Sequence, residues 1–457
     1  MRNNKERITN NKAFVLIGLL LCSPFDSQPG ASAVLLAQGP PAVVRLTLAD
    51  AITRAHETSH RLAEIRAREQ GAQAAIKSAE LARMPTINAS GSYVRTNHVR
   101  EFSVPQPTGL RLVIYPDIPD NFSSRVGFQW PIYTAGRTDA LERAAEAEAA
   151  AVTAEIDTAR ADLRFEVVRA YWAAVTAREA VRVLEESAVR AEAQLTDARQ
   201  RFTVGLIPPN EVSSLEAQRS RERAQLIEAQ NIRESALIDL RRLTGIPEGA
   251  VIELADSLDA ASTPTGDTGA FIKQALESRP ERKTFMARVE ALEARESAAL
   301  AGNKPTVAAI GGVDYANPNP KIFPRIGEWQ RTWDVGVSVS WNLFDFGRTK
   351  SQAAEVAAAA TAARERIAEF DSILSADVRQ RLLDLESGQA MVQAASDAVR
   401  SAADARRVVG DRFAAGVATS TDVLVAQVAF LEAELARTRA LAGVKLAEAR
   451  LERSLGR

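Results

Sequence analysis

Residues able to do chemistry are sparse in this chain. There are 3 His and 1 Cys among 457 residues. His56 and His60 stand four apart, a spacing that puts two imidazoles on one helical face and would suit zinc if a third ligand followed. No acidic third ligand stands at such a spacing, and His98 lies far along the chain, so the pair reads as part of a solvated helix face. There is no Gly-rich phosphate loop, no nucleophile elbow and no Cys/His pair. The carboxylates are spread along helical stretches with Arg partners, the pattern of solvation and i,i+4 pairing. No catalytic residue, cofactor site or metal ligand set is therefore expected. With 57 Lys+Arg against 58 Asp+Glu, the chain also lacks the basic excess a nucleic-acid binder needs.

The elements around these residues carry the information. Residues 1–12 hold Arg2, Lys5, Arg7 and Lys12, and Ala13–Leu21 is an unbroken apolar run, too short to span a bilayer. This predicts a signal peptide over 1–33, with Ala31-Ser32-Ala33 as its cleavage site. Removing it takes four cations and two anions (Glu6, Asp26) from a formal charge of −1, leaving about −3. The only cysteine, Cys22, goes with it unless it carries a lipid; Leu21 before it is not the small residue that lipidation favours. The mature chain is expected to be exported and free of disulfides. Its 46% hydrophobic and 25% charged residues exclude wholesale disorder.

Sliding the chain on itself reveals a duplication. At an offset of 211, Trp130 falls on Trp341, Gly136-Arg137 on Gly347-Arg348, Arg201-Phe202 on Arg412-Phe413 and Gly205 on Gly416. At an offset of 220, Ile52 falls on Ile272, Pro85-Thr86 on Pro305-Thr306 and Gly91 on Gly311. The expected layout is a first repeat over 45–245, a linker over 246–268 and a second repeat over 269–457. Each repeat reads helix, strand, loop, strand, long helix, turn, helix. Strands are expected at about 86–96 and 123–133, and again at about 306–315 and 333–343. There apolar and polar residues alternate, as in Trp333, Val335, Val337 and Val339 against Asp334, Gly336 and Ser338. Runs of that length suit strands crossing a bilayer at a tilt, and the Trp and Tyr residues gathered there suit interfacial girdles. The long helices carry a heptad seam: Val181, Leu184, Ala188, Ala191, Leu195, Ala198 and Phe202 in the first repeat. Arg406 interrupts the equivalent seam of the second. Four strands cannot close a barrel, and an open edge cannot face lipid, so copies must associate; eight strands fill their own interior, whereas twelve leave a lumen.

Trp130-Pro-Ile-Tyr-Thr-Ala-Gly-Arg137 and Trp341-Asn-Leu-Phe-Asp-Phe-Gly-Arg348 resemble the strand–helix junctions of the TolC family of outer-membrane efflux proteins. Arg201-Phe-Thr-Val-Gly-Leu206 and Arg412-Phe-Ala-Ala-Gly-Val417 resemble that family's helical-hairpin tips, and the resemblance runs from about residue 45 to the C-terminus. It implies a mainly α fold with a membrane β-barrel, in which a homotrimer forms a 12-stranded outer-membrane barrel continued by a periplasmic α-helical barrel. It implies as partners a periplasmic adaptor (membrane fusion) protein, an inner-membrane pump and outer-membrane lipid. It makes Val204, Gly205, Leu206, Ala415, Gly416 and Val417 the adaptor-docking tips, and Glu211, Asp422, Phe202 and Phe413 the periplasmic aperture. Asp422 would line the tunnel mouth as an anionic ring or, more plainly, favour the dipole of its own helix. Phe413 stands where the family has a hydroxyl-bearing aromatic and Ala418 where a basic residue is expected, so packing of Phe202 and Phe413 is the expected closure. Asn210 and Thr421 are the expected caps of the returning helices. The function implied is a passive exit duct of an efflux pump or type I secretion system. Alternatives are an exported coiled-coil scaffold, or a duct for metal ions or polypeptides.

Overall fold

A computed structural model describes residues 43–107, 109–258 and 267–457. The expected signal peptide, Cys22 and part of the linker lie outside the described residues. In chain order the elements are β1 (Val43–Leu46), α1 (Leu48–Thr58), α2 (His60–Leu81), β2 (Thr86–Arg95), β3 (Phe102–Pro105), β4 (Arg111–Tyr115) and β5 (Asp120–Tyr133). There follow α3 (Arg137–Thr203), α4 (Pro209–Thr244), β6 (Val251–Leu254), α5 (Thr268–Ser278), α6 (Pro280–Leu300), β7 (Thr306–Asn317), β8 (Gln330–Ser340), α7 (Arg348–Ala414) and α8 (Ser420–Ser454). Helices α3 and α7 have 67 residues each, about 100 Å of rise. No described helix is long and apolar enough to cross a membrane.

Each repeat begins with a broken helix rather than one continuous rod. Ser59 ends α1 and its hydroxyl caps α2 by accepting from the Leu62 N–H. The equivalent break at Arg279 is enforced by Pro280, which needs no backbone donor in the first turn.

Strands β2, β5, β7 and β8 form one antiparallel sheet in that order. Direct pairing of Arg125 with Asp314 and of Val126 with Val313 sorts the side chains onto two faces. One face carries Ile87, Val126, Phe128, Val335, Val337 and Val339; the other carries Asn88, Ser90, Arg125, Gln129, Asp334 and Ser338. Near one end of the apolar face Tyr93, Phe122, Trp329 and Tyr315 touch in sequence, with ring centroids 4.8, 6.0 and 4.8 Å apart. At the other end stand Trp130, Tyr133 and Trp341, all exposed. Eight residues separate Phe122 from Trp130, about 27 Å of strand, enough for a tilted crossing of an apolar band. Alternation in β7 is blurred because Gly311 and Gly312 leave room for neighbours: a Cβ at Gly311 would lie 2.5 Å from the Phe128 ring, and one at Gly312 would lie 3.0 Å from the Arg125 guanidinium. Strand β8 stops at Ser340, opposite Thr306 at the start of β7, so 341–343 have no partner left to pair with.

Two features have no counterpart in the sequence reading. A β3–β4 hairpin stands within the β2–β5 connection. A parallel β1–β6 pair joins the start of the first repeat to the linker. Fully buried Tyr171 on α3 holds that pair: its hydroxyl lies 2.6 Å from Asp256 Oδ2 and 3.1 Å from the Leu46 carbonyl. Arg178, two turns further along the same helical face, donates to the Leu254 and Asp256 carbonyls. Burial, then the bond to Asp256, pushes the Tyr171 phenol above its ordinary value, so it stays a neutral donor. Tyr171→Phe keeps the ring and strips the donor, and should cost about 1–3 kcal/mol, read as a lower midpoint of thermal unfolding followed by circular dichroism. An unchanged midpoint would place the hold on β1–β6 elsewhere.

Candidate functional site: hairpin tips and strand–helix junctions

Both long hairpins turn by the same chemistry. Gly205 (φ 74°) and Gly416 (φ 75°) are left-handed, where a side chain is strained. Gly205 N–H donates to Phe202 O and Leu206 N–H to Arg201 O; Gly416 N–H donates to Phe413 O and Val417 N–H to Arg412 O. These are Schellman-type closures that satisfy the last helical carbonyls. The space beside either glycine is open, so conformation and not crowding requires it. The turns expose Val204, Leu206, Ala415 and Val417, an apolar surface at the tips.

The residues expected at the aperture divide into two kinds. Glu211 accepts from the Ser420 hydroxyl at 2.6 Å, which ties the first tip to the second. Asp422 closes a capping box: its Oδ2 accepts from the Thr419 N–H at 2.9 Å while Thr419 Oγ1 accepts from the Asp422 N–H. The Thr419 backbone bond, followed by its hydroxyl, holds the Asp422 carboxyl below the usual carboxylate range. The cap is thus Thr419 and not Thr421, because the helix begins at Ser420. Pro208 occupies the cap position of α4 without a side-chain bond, and Asn210 lies inside that helix. Phe413 packs under Arg201, whose guanidinium carbon sits 4.8 Å from the ring centroid, while Phe202 remains exposed. Within one chain, then, Phe413 makes a cation–π contact with Arg201 and does not pack on Phe202. Arg406, the break in the seam, lies 4.0 Å over the buried Phe430 ring of α8. A cation in an apolar seam is accommodated by an aromatic face.

At the opposite end the two junctions match position for position. Trp130 Nε1 donates to Arg83 O at 3.1 Å, and Trp341 Nε1 to Asn303 O at 3.0 Å, pinning each strand end to the helix before the hairpin. Ala135 and Gly136 are both left-handed, as are Phe346 and Gly347. Thr134 Oγ1 accepts from Thr138 N–H in the first repeat; Asp345, its equivalent, accepts from Thr349 N–H at 2.8 Å in the second. Arg137 and Arg348 are the exposed first residues of α3 and α7. Bonds from the Thr349 side chain and then its backbone hold the Asp345 carboxyl below the usual range. The tip residues and the junction residues form two separate constellations at the two ends of the long helices.

Comparison with known proteins fits this geometry. The outer membrane efflux protein family matches residues 51–246 and 271–457. The chain is 26% identical to outer membrane protein TolC of Vibrio cholerae serotype O1 over 381 residues, 82% of this chain and 83% of that protein. The crystal structure of the Campylobacter jejuni CmeC outer membrane channel superposes with a TM-score of 0.75 at 17% identity, over 90% of this chain and 85% of that one. The Vibrio cholerae outer membrane protein VceC superposes with a TM-score of 0.74 at 21% identity, over 90% and 96%. The chain belongs to the outer membrane efflux protein family and is an exit duct of the outer membrane.

Proposed function

We propose that three copies of the chain close the duct, and that it passively conducts what a periplasmic adaptor and an inner-membrane pump deliver to its tips. The observation that carries the trimer is unequal burial of equivalent helices. Helix α3 is buried from Ala140 to Ala198, flanked by its own hairpin and by α6 and α8. Its equivalent α7 buries Thr349, Ala353, Ala360, Leu374, Val378 and Leu385 alone. The face of α7 that corresponds to the buried face of α3 thus awaits α2 and α4 of another copy. In the sheet, β8 corresponds to β5, and its free edge would take β2 of the next copy as β5 takes β7. Three copies give 12 strands, enough for a lumen, where two would fill it with side chains.

No catalytic step is required of such a duct. The apolar tips Val204, Leu206, Ala415 and Val417 suit a partner with an apolar cleft, the role assigned to the adaptor. Three Asp422 carboxylates would ring the mouth and favour cations. Cargo follows the pump, whether drugs, metal ions or polypeptides.

Three outcomes test this reading. On the exposed strips, Ile373 of α7 and Ile238 of α4 correspond to Asp162 and Ala449 at the internal joint, which supports a position between copies in the proposed trimer. Ile373→Asp with Ile238→Asp should convert detergent-resistant trimers on unheated gels to monomers while the helical spectrum persists. Ser420→Ala removes the donor to Glu211. At about 1 kcal/mol it should shift opening of the tips about fivefold, seen as higher conductance in planar bilayers, with Ser420→Thr unchanged. Asp422→Asn should reduce cation preference in reversal-potential measurements. Because the folded pKa is depressed, the wild-type preference should hold from pH 8 to 5. It should fade only as pH falls through the lowered folded value, below about 4.

A further inference from the structure

The polar face of the sheet carries a charge cluster that the tips and junctions do not use. Arg125 of β5 donates to Asp314 Oδ2 of β7 at 2.7 Å and to both carboxylate oxygens of Asp334 of β8 at 2.9 Å. Lys321 reaches the same two carboxylates, 2.6 Å from Asp314 and 2.5 Å from Asp334. Lys321 is not on a strand. It belongs to segment 318–329, which joins β7 to β8 at the end of the sheet away from the helices. To make these bonds the segment must fold back over the polar face. A second fastening lies beside it: Asn319, 1% exposed, donates to the Gln330 carbonyl and to Thr332 Oγ1, and Thr332 shares the face of Asp314. Further out, Arg325 donates to the Tyr115 hydroxyl at 3.2 Å and stacks over its ring, linking the segment to the β3–β4 hairpin.

We propose that segment 318–329 is a strap across the outer mouth of the duct, latched on the lumenal face by Lys321 to Asp314 and Asp334, so that the outer end carries a gate of its own. This rests on the duct reading above, which makes the polar face lumenal and this end extracellular. The chemistry suits a latch that opens. Arg125 alone reaches both carboxylates, Asp334 through a bidentate fork and Asp314 through one bond, so the strands keep their pairing when Lys321 leaves. Lys321 and Asp334 are partly exposed, so salt and passing charged cargo compete for the bond. Gly312 gives the Arg125 guanidinium its place, so the anchor is built into β7 itself. Three straps, one from each copy, would narrow the mouth where the lumen meets the exterior, and each unlatched strap would leave two half-neutralised aspartates facing the cargo.

The test is labelling of intact cells from outside with a bulky membrane-impermeant maleimide. A cysteine replacing Ser338, on the lumenal face below the strap, reports passage through the mouth; one replacing Gln106, on the outer hairpin, reports orientation. Labelling of Ser338→Cys should be slow with Lys321 present, rise several-fold with Lys321→Gln, and return to the slow rate with Lys321→Arg. Locking the strap through a short bifunctional thiol reagent across Asn319→Cys and Thr332→Cys should keep entry of a charged dye slow even in the Lys321→Gln background. Trimer bands on unheated gels confirm that each variant assembles. If Gln106→Cys labels but Ser338→Cys labels at one rate in all three Lys321 backgrounds, the strap is refuted while the duct stands. If Gln106→Cys is inaccessible in intact cells, the duct reading itself fails and the strap with it.

Discussion

An unpaired backbone group in hydrocarbon costs several kcal/mol, and the sheet β2-β5-β7-β8 ends on two edges made of such groups. That cost governs the whole assembly. One chain cannot cover its own edges, so copies must, and the relation between copies is already present inside one chain. The β5–β7 pairing is the internal version of what β8 requires of a neighbouring β2. The packing of α3 on α6 and α8 is the internal version of what α7 requires of a neighbouring α2 and α4. A single rotation, repeated, thereby serves the strand barrel and the helix barrel together. Duplication is the economical route, because it makes the joint within a chain and the joint between chains geometrically alike.

Joining the two barrels sets a local problem at each junction, where a tilted strand must become a steep helix within a few residues. Both repeats answer with two consecutive left-handed residues, the first of which is not glycine: Ala135 and Phe346. A non-glycine residue there costs about 1–2 kcal/mol, so the turn must be held from outside. The indole of Trp130 or Trp341 fixes the strand end to the preceding helix. Thr134 or Asp345 then caps the helix that follows. The second junction uses a carboxylate where the first uses a hydroxyl, and the carboxylate also complements the positive end of α7.

Much of this was legible in the sequence because it rests on short-range rules. Positive-φ glycines at the tips, paired tryptophans at the junctions and period-2 strands are local signals, and the duplication doubles each of them. The features that stayed hidden depend on contacts far apart in the chain. Tyr171 clasps β1 to β6 through Asp256, 85 residues away, and nothing near Tyr171 announces it. Arg406 looks like a flaw in a heptad until Phe430 on the antiparallel helix is seen beneath it. Thr419 and Thr421 are equally good caps by residue type, and the choice between them rests on where the chain leaves its turn. The neighbour of Phe413 was hidden in the same way: within one chain the ring lies under Arg201, 212 residues away, rather than against Phe202.

Duplicated geometry does not mean duplicated chemistry, and the difference separates the two kinds of joint. Where α8 ends against α3 and α6, Arg453 is held by Asp162 at 2.6 Å and by Glu281, with its side chain 14% exposed. At the corresponding positions of the other joint stand Arg242, Ile373 and Arg61, so the acids have gone. An arginine between two carboxylates is strongly directional, and removing one partner leaves the remaining charges partly desolvated and short of a bond. Such a cluster suits a joint formed once, within a chain that folds as a unit. A joint between separate chains must assemble from surfaces that are first exposed to water, and an isoleucine there is tolerated by the monomer and gains on burial. The α3 face that carries Asp162 holds its own Arg453, whereas the equivalent α7 position is Ile373, which has no charge to hold Arg242. Ion pairing thus fastens the joint inside the chain, while the exposed Ile373 leaves the equivalent face of α7 to hydrophobic burial.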